Sequence, residues 1–129
     1  MAYLKPPVFA KRVYNPIALR FGLGGSEELV VRGRTTRQPE TIPVIPVEHG
    51  GERYLVSTRG ESHWVRNIRD AAGGELGGKA FRAVEIPVEE REPIIAAYRE
   101  KAGRSAKPYW KKLPDPADHP VFRIDVGSR

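Results

Sequence analysis

The apolar rhythm of the chain changes along its length, and the changes mark out its elements. Phe9, Val13, Ile17 and Phe21 recur every four residues, with Lys11, Arg12 and Arg20 elsewhere on the wheel. This predicts an amphipathic N-terminal helix within residues 1–22, kinked at Pro16. Gly22, Gly24 and Gly25 then predict a loop. A dinucleotide-binding glycine loop is set aside, because that motif needs a strand before it and a helix after it, and here the order is reversed. From residue 28 to 58 the pattern turns to β. Residues 29–32 read as a strand, 34–39 as a basic turn and 42–47 as a second strand. Pro43 and Pro46 cannot donate ladder hydrogen bonds, so that strand belongs at a sheet edge, a barrel corner or a bulge. His49, Gly50, Gly51 and Glu52 predict a tight hairpin, and residues 54–57 the returning strand.

Glu61 and Ser62 offer an acidic start and an N-cap for a helix. Its apolar face is Trp64, Val65, Ile68, Ala71 and Ala72; Arg66, Asn67, Arg69 and Asp70 face the other way, and Gly73 and Gly74 stop it. Residues 75–86 return to β around Gly77 and Gly78. The clearest helix is 88–101, with Glu89 and Glu90 in its first turn, Ile94, Ile95 and Tyr98 as its stripe, and Gly103 after its end. Residues 104–119 read as a Pro-rich loop carrying Tyr109 and Trp110, and 121–124 as a closing strand. No internal repeat is visible. This order of elements suits an α+β fold: a small, mainly antiparallel barrel with helices packed outside.

At 129 residues the chain fits one domain. With no Cys, it has no thiol nucleophile, Cys-ligated zinc, iron–sulfur cluster or disulfide framework. Its 22 Lys and Arg against 16 Asp and Glu give a formal +6, which favours anionic partners. The apolar runs are far short of a membrane span and the first residues lack the apolar core of a signal peptide, so a soluble, cytoplasmic protein is expected. Contact of the N-terminal helix with a membrane surface is the second reading of that segment.

His49, His63 and His119 show no metal-ligand spacing and read as surface or partly packed residues. The serines sit in no nucleophile-elbow pattern, and the carboxylate pairs Glu27-Glu28 and Glu89-Glu90 lie at element starts. The placement of the cations is more telling. Arg32, Arg34 and Arg37 share one turn, Arg59 follows a strand, and Arg66 and Arg69 project from the helix opposite Trp64. If turn, strand end and helix start converge, they form an anion-binding rim, because arginine forks fit phosphate and carboxylate oxygens and a helix N-terminus adds N–H donors. A solvated basic surface is the alternative. Nucleic acid can use the same cations, with Tyr109 and Trp110 stacking bases, although no known nucleic-acid-binding signature is present.

The run Gly33-Arg34, Thr36, then Ile42-Pro43-Val44, the Gly50-Gly51 hairpin, Tyr54-Leu55-Val56-Ser57, Gly60-Glu61 and Trp64-Val65-Arg66-Asn67-Ile68-Arg69 resembles the deazaflavin-dependent nitroreductase and quinone reductase family. The Asn15-Pro16 helix and the Tyr/Trp-containing C-terminal loop extend that resemblance over most of the chain. It implies a split β-barrel of the flavin-reductase type that binds coenzyme F420 in a groove. It further implies phosphate contacts from Arg34 and Thr36, a cofactor contact from Arg37 in the same turn, a groove lined by Pro43, Val44, Ser57, Thr58 and Arg59, and cofactor support from Trp64 and Asn67. The reaction implied is hydride transfer from the reduced deazaflavin to a quinone, an activated alkene or a nitro compound. Tyr109 is the catalytic candidate, as proton donor or ring-stacking residue, with Trp110 as a lid aromatic; anchoring the loop to the core is the alternative role for both. Thr35 and Arg37 stand where family members commonly have Lys and Gly, and the stretch 73–79 is short and glycine-rich. The basic rim would then meet the cofactor's polyanionic tail, so a small-molecule phosphate ligand is expected and nucleic acid is not. An FMN-binding split-barrel enzyme and a non-catalytic cofactor- or nucleic-acid-binding module remain alternatives, and a homodimer follows from the resemblance.

Overall fold

The computed structural model describes residues 26–126. The predicted N-terminal helix and the glycines at 22–25 lie outside them. Seven strands form one sheet: β1 (Glu27–Arg32), β2 (Pro39–Val44), β3 (Val47–His49), β4 (Glu52–Val56), β5 (Gly73–Leu76), β6 (Lys79–Glu85) and β7 (Val121–Val126). Helix α1 (His63–Ala71) joins β4 to β5, while α2 (Glu92–Ala102) and α3 (Lys107–Lys112) lie between β6 and β7.

The strand order is β2-β1-β5-β6-β7-β4-β3, and every pair is antiparallel. The expected strand over 42–47 is therefore two strands, β2 and β3, on opposite edges of the sheet, with only Ile45 and Pro46 between them. Three residue steps span at most about 11 Å. A flat seven-stranded sheet would separate those edges by roughly 29 Å at ordinary strand spacing. The sheet must therefore curl until its edges meet, and the chain turns the barrel corner at Pro46. Pro43, whose missing N–H faces away from any ladder, sits on the edge strand.

The two faces of the curled sheet bury different cores. In β4, Leu55 joins Leu29, Val31, Val65, Ile68, Phe81 and Phe122, the core closed by α1. Its neighbours Tyr54 and Val56 join Ile94, Ile95, Tyr98, Trp110 and Val121, the core under α2 and α3. The two-residue period of a strand makes this division.

Three other boundaries differ from the sequence reading. Helix α1 ends at Ala72 in a left-handed conformation (φ 62°), and Gly73 and Gly74 open β5 instead of stopping the helix. A Cβ on Gly73 or Gly74 would collide with the carbonyl oxygens of Phe81 and Val30, so these glycines serve close strand packing. Helix α2 begins at Glu92, after a 3-10 turn over Val88–Glu90, because Pro93 fits only its first turn. The stretch 104–119, expected as a loop, contains α3, again with a proline, Pro108, in the first turn, and a 3-10 turn over Pro116–Asp118. Prolines that read as loop punctuation are helix starters here.

Candidate functional site

The seam between the two cores opens into a cavity of about 440 Å³. The cavity takes Val31 and Trp64 from the α1 side and Val56 and Tyr98 from the α2 side, so neither layer alone could form it. Its remaining walls come from the end of β2 (Ile42, Pro43, Val44), from Thr58 and Arg59 after β4, and from the start of α1 (Ser62, His63). A cavity of this size, mostly apolar with a few convergent polar groups, is what a ring-shaped ligand needs.

The polar edge is organised by Asn67. The sequence pattern sets Asn67 on the outer face of its helix, whereas it is only 3% exposed. Its amide is the hub onto which the β1–β2 turn folds. Asn67 Oδ1 accepts from the Arg34 backbone N–H at 3.1 Å and from the Arg34 guanidinium at 2.7 Å, and Asn67 Nδ2 donates to Glu40 Oε1 at 3.2 Å. Arg34 also reaches the His63 carbonyl and Nδ1, both at 3.4 Å. A guanidinium is thus held beside the first turn of α1, where backbone N–H groups already favour an anion. Thr36 is committed to the turn: its hydroxyl donates to Glu40 Oε2 at 3.1 Å and accepts from the Gln38 N–H at 3.2 Å.

Two of the other predicted rim cations turn elsewhere. Arg37 adopts a left-handed conformation (φ 62°) and pairs with the exposed Asp70 at 3.5 Å. Arg69 turns away into an ion network, bonding to both carboxylate oxygens of Glu61 and to Glu85, which also meets Arg91 at 3.4 Å. The Arg69 guanidinium holds the Glu61 carboxyl below the usual carboxylate range, and Arg69 is itself raised, first by Glu85 and then by Glu61. It is therefore a structural cation, unsuited to a ligand rim. Ser57 is fully buried, its hydroxyl donating to the Gly60 carbonyl at 2.6 Å, which shapes the bend that presents Thr58 and Arg59.

Tyr109 does not line the cavity. Its hydroxyl accepts from Arg59 at 3.2 Å, and the guanidinium lies 5.4 Å from its ring centroid. The phenol in the cavity wall is Tyr98, which the sequence assigns only to a core stripe; burial pushes it up to about 12, so it stays protonated. Trp110 is neither lid nor stacking platform. It is 5% exposed, stacked on His119 at 4.0 Å and packed against Tyr98 at 5.8 Å. His119, expected near the surface, is fully buried, with its ring nitrogens 2.8 Å and 2.6 Å from the Ser57 and Leu113 carbonyls.

Of the residues singled out from the sequence, Pro43, Val44, Thr58, Arg59, Trp64 and Asn67 share this cavity, and Arg34 is bound to its edge. Ser62, at the N-cap position expected for it, joins them, as do Glu40, His63 and Tyr98, to which the sequence assigned no part in a site. No family model matches this chain, and no curated protein does. Solved structures do. An F420-H2-dependent reductase superimposes with a TM-score of 0.55 at 22% identity, over 78% of this chain and 93% of that one. An FAD-binding protein from Mesorhizobium loti matches with a TM-score of 0.55 at 16% identity, over 88% and 91% of the two chains. A domain-swapped dimer matches with a TM-score of 0.56 at 22% identity, over 78% and 79%. The fold is accordingly the split barrel of the flavin- and F420-reductase type.

Proposed function

We propose that the protein is an oxidoreductase that binds coenzyme F420 in the cavity at the seam and passes a hydride to an electron-poor acceptor such as a quinone, an activated alkene or a nitro compound. The observation that carries this reading is the convergence of Pro43, Val44, Thr58, Arg59, Trp64 and Asn67 on one cavity. These are positions at which the resemblance expects cofactor contacts, in a fold shared with an F420-H2-dependent reductase.

The cavity suits such a group on its own chemistry. Val31, Ile42, Val44, Val56 and Trp64 provide apolar walls for a flat ring, and Arg34 and Arg59 supply cations for an anionic tail. Bound there, the cofactor would supply the hydride. The chain's own contribution is to orient and to handle charge. Pro43 and Val44, fixed on an edge strand, set the wall; Asn67 fixes Arg34; the apolar lining excludes water. Tyr98 and Tyr109 flank Arg59, and a protonated phenol beside a guanidinium can donate to an acceptor oxygen that gains negative charge. Tyr109 acts in this reading through Arg59, and Tyr98 faces the ligand.

A second reading keeps the site and changes the cofactor to FMN or another flavin; the FAD-binding neighbour with this fold favours it. Self-association is part of the same proposal, since a neighbour with this fold is a domain-swapped dimer. No helix among the described residues is long and apolar enough to cross a membrane. Titration of the full chain with F420 and, in parallel, with FMN, followed by cofactor fluorescence, tests the proposal. Saturable binding selective for F420 is expected. Selective FMN binding replaces the cofactor, and binding of neither removes the oxidoreductase reading.

A further inference from the structure

A second charged concavity lies where α2 meets α3, and it shares no lining residue with the cavity at the seam. Residues 99–112 hold Arg99, Lys101, Arg104, Lys107, Lys111 and Lys112 against one acid, Glu100. This short stretch therefore carries a net +5 of the chain's formal +6. All six cations are exposed. Lys101 turns away to the Pro46 carbonyl, but Arg99, Arg104, Lys107 and Lys111 border one concavity of about 950 Å³. The first three also border a neighbouring one of about 450 Å³, so the two form a continuous groove.

Among the described residues none of these four cations has an ion pair, whereas Arg37, Arg53, Arg69, Arg91 and Arg123 all do. Four like charges around one groove repel one another, and an anionic chain relieves that repulsion. The surroundings decide which anion. Among the described residues the large exposed apolar ones are Val88 and Val126, both outside this stretch, so nothing in it inserts into a bilayer or forms the apolar centre of a protein interface. The concavity is shallow and open to solvent, so a polyanion is held there by charge rather than by enclosure. Its one aromatic, Trp110, is buried beneath Arg99, whose guanidinium carbon lies 5.4 Å from the ring centroid, and is therefore closed to base stacking.

We propose that this groove binds the phosphate backbone of nucleic acid, without regard to base sequence. Two arginine forks and two lysines supply the phosphate contacts. With four contacts on a single strand, the slope of log affinity against log salt is about −2.8, so raising salt from about 50 to 200 mM weakens binding about 50-fold.

The test is fluorescence anisotropy of a labelled, mixed-sequence 20-nucleotide single strand with the full-length protein, beside phosphatidylserine vesicles and the F420 titration. Saturable oligonucleotide binding with that salt response is expected. The triple variant Arg104→Gln, Lys107→Gln, Lys111→Gln should weaken it at least tenfold with the thermal midpoint and F420 titration unchanged; Lys107→Gln alone, at an exposed position, should weaken it several-fold. Binding that survives the triple variant, a tenfold preference for one base over another, or attachment to vesicles without the oligonucleotide would each overturn the proposal. Because the groove and the seam cavity have separate linings, loss of one ligand with retention of the other tells which of the two readings has failed.

Discussion

The two sides of the curled sheet use buried polar groups in opposite ways. Beneath α2 and α3, Arg91 donates to the carbonyls of Ile86, Pro116, Ala117 and His119, and the ring of His119 lies between those of Ser57 and Leu113. These side chains bond backbone carbonyls from several segments at once, so they hold the stretch after α3 in place. On the α1 side, Asn67 joins a turn to the edge of a cavity and leaves a guanidinium beside a helix N-terminus. One side has polar groups consumed by the fold; the other has polar groups gathered at the edge of a cavity. Burial alone does not separate the two, since Arg91 is 6% exposed and Asn67 3%. What separates them is whether the partners are distant carbonyls or side chains at a cavity.

The contrast can be broken most decisively at Arg91. Replacing it with Ala should cost about 3–5 kcal/mol of stability in urea denaturation, because several buried carbonyls lose a charged donor together. A loss under 1 kcal/mol would mean that the α2–α3 side does not depend on it. Trp64→Ala comes next, at about 2–4 kcal/mol, because Trp64 packs on the α1 core with its ring centroid 6.1 Å from that of Phe122. A variant with native stability that no longer binds cofactor would place Trp64 on the ligand side of the comparison instead.

Arg34→Ala should move the other observable. Stability should change by only about 1 kcal/mol, because Asn67 Oδ1 keeps its bond from the residue-34 backbone N–H, while F420 binding weakens by about 1.5–3 kcal/mol through the lost charge-assisted contact. Unchanged affinity in the titration would show that the turn does not meet the ligand. The smallest effect concerns acid. Glu61 sits below its ordinary 4.5 chiefly through its hydrogen bond from Arg69, so its contribution is present above about 4.5 and is lost as pH falls through the lower folded-state value. Glu61→Gln should therefore flatten the fall in thermal midpoint below about pH 4.5 and leave the rest of the profile parallel to the parent's.

Much of the barrel was legible from local rules. Alternating Leu, Val and Ile, the Gly50-Gly51 hairpin and the face of Val65 and Ile68 report secondary structure directly, because strand and helix periods are properties of neighbouring residues. The same holds for the residues quoted around the Gly33-Arg34 turn and the Trp64 helix. It fails over 104–119, where prolines in first turns look like loop residues until the helix they start has something to pack on. His119 and Trp110 likewise reveal their burial only through tertiary partners, the Ser57 carbonyl and the packed rings of Tyr98, Trp110 and His119.

By itself, then, the sequence determined the β-rich pattern, the exclusion of Pro43 from a regular inner strand, the absence of cysteine chemistry and the surplus of cations. Only the tertiary structure decided that 42–47 would split across both edges of the sheet, that Arg69 would be spent on Glu61 and Glu85 while Arg34 stayed at the cavity, and that Tyr98 would line it in place of Tyr109. The reason is physical. Periodicity and backbone preference act between residues a few positions apart, whereas which charge is paired and which ring faces a cavity depend on contacts closed by the curling of the whole sheet.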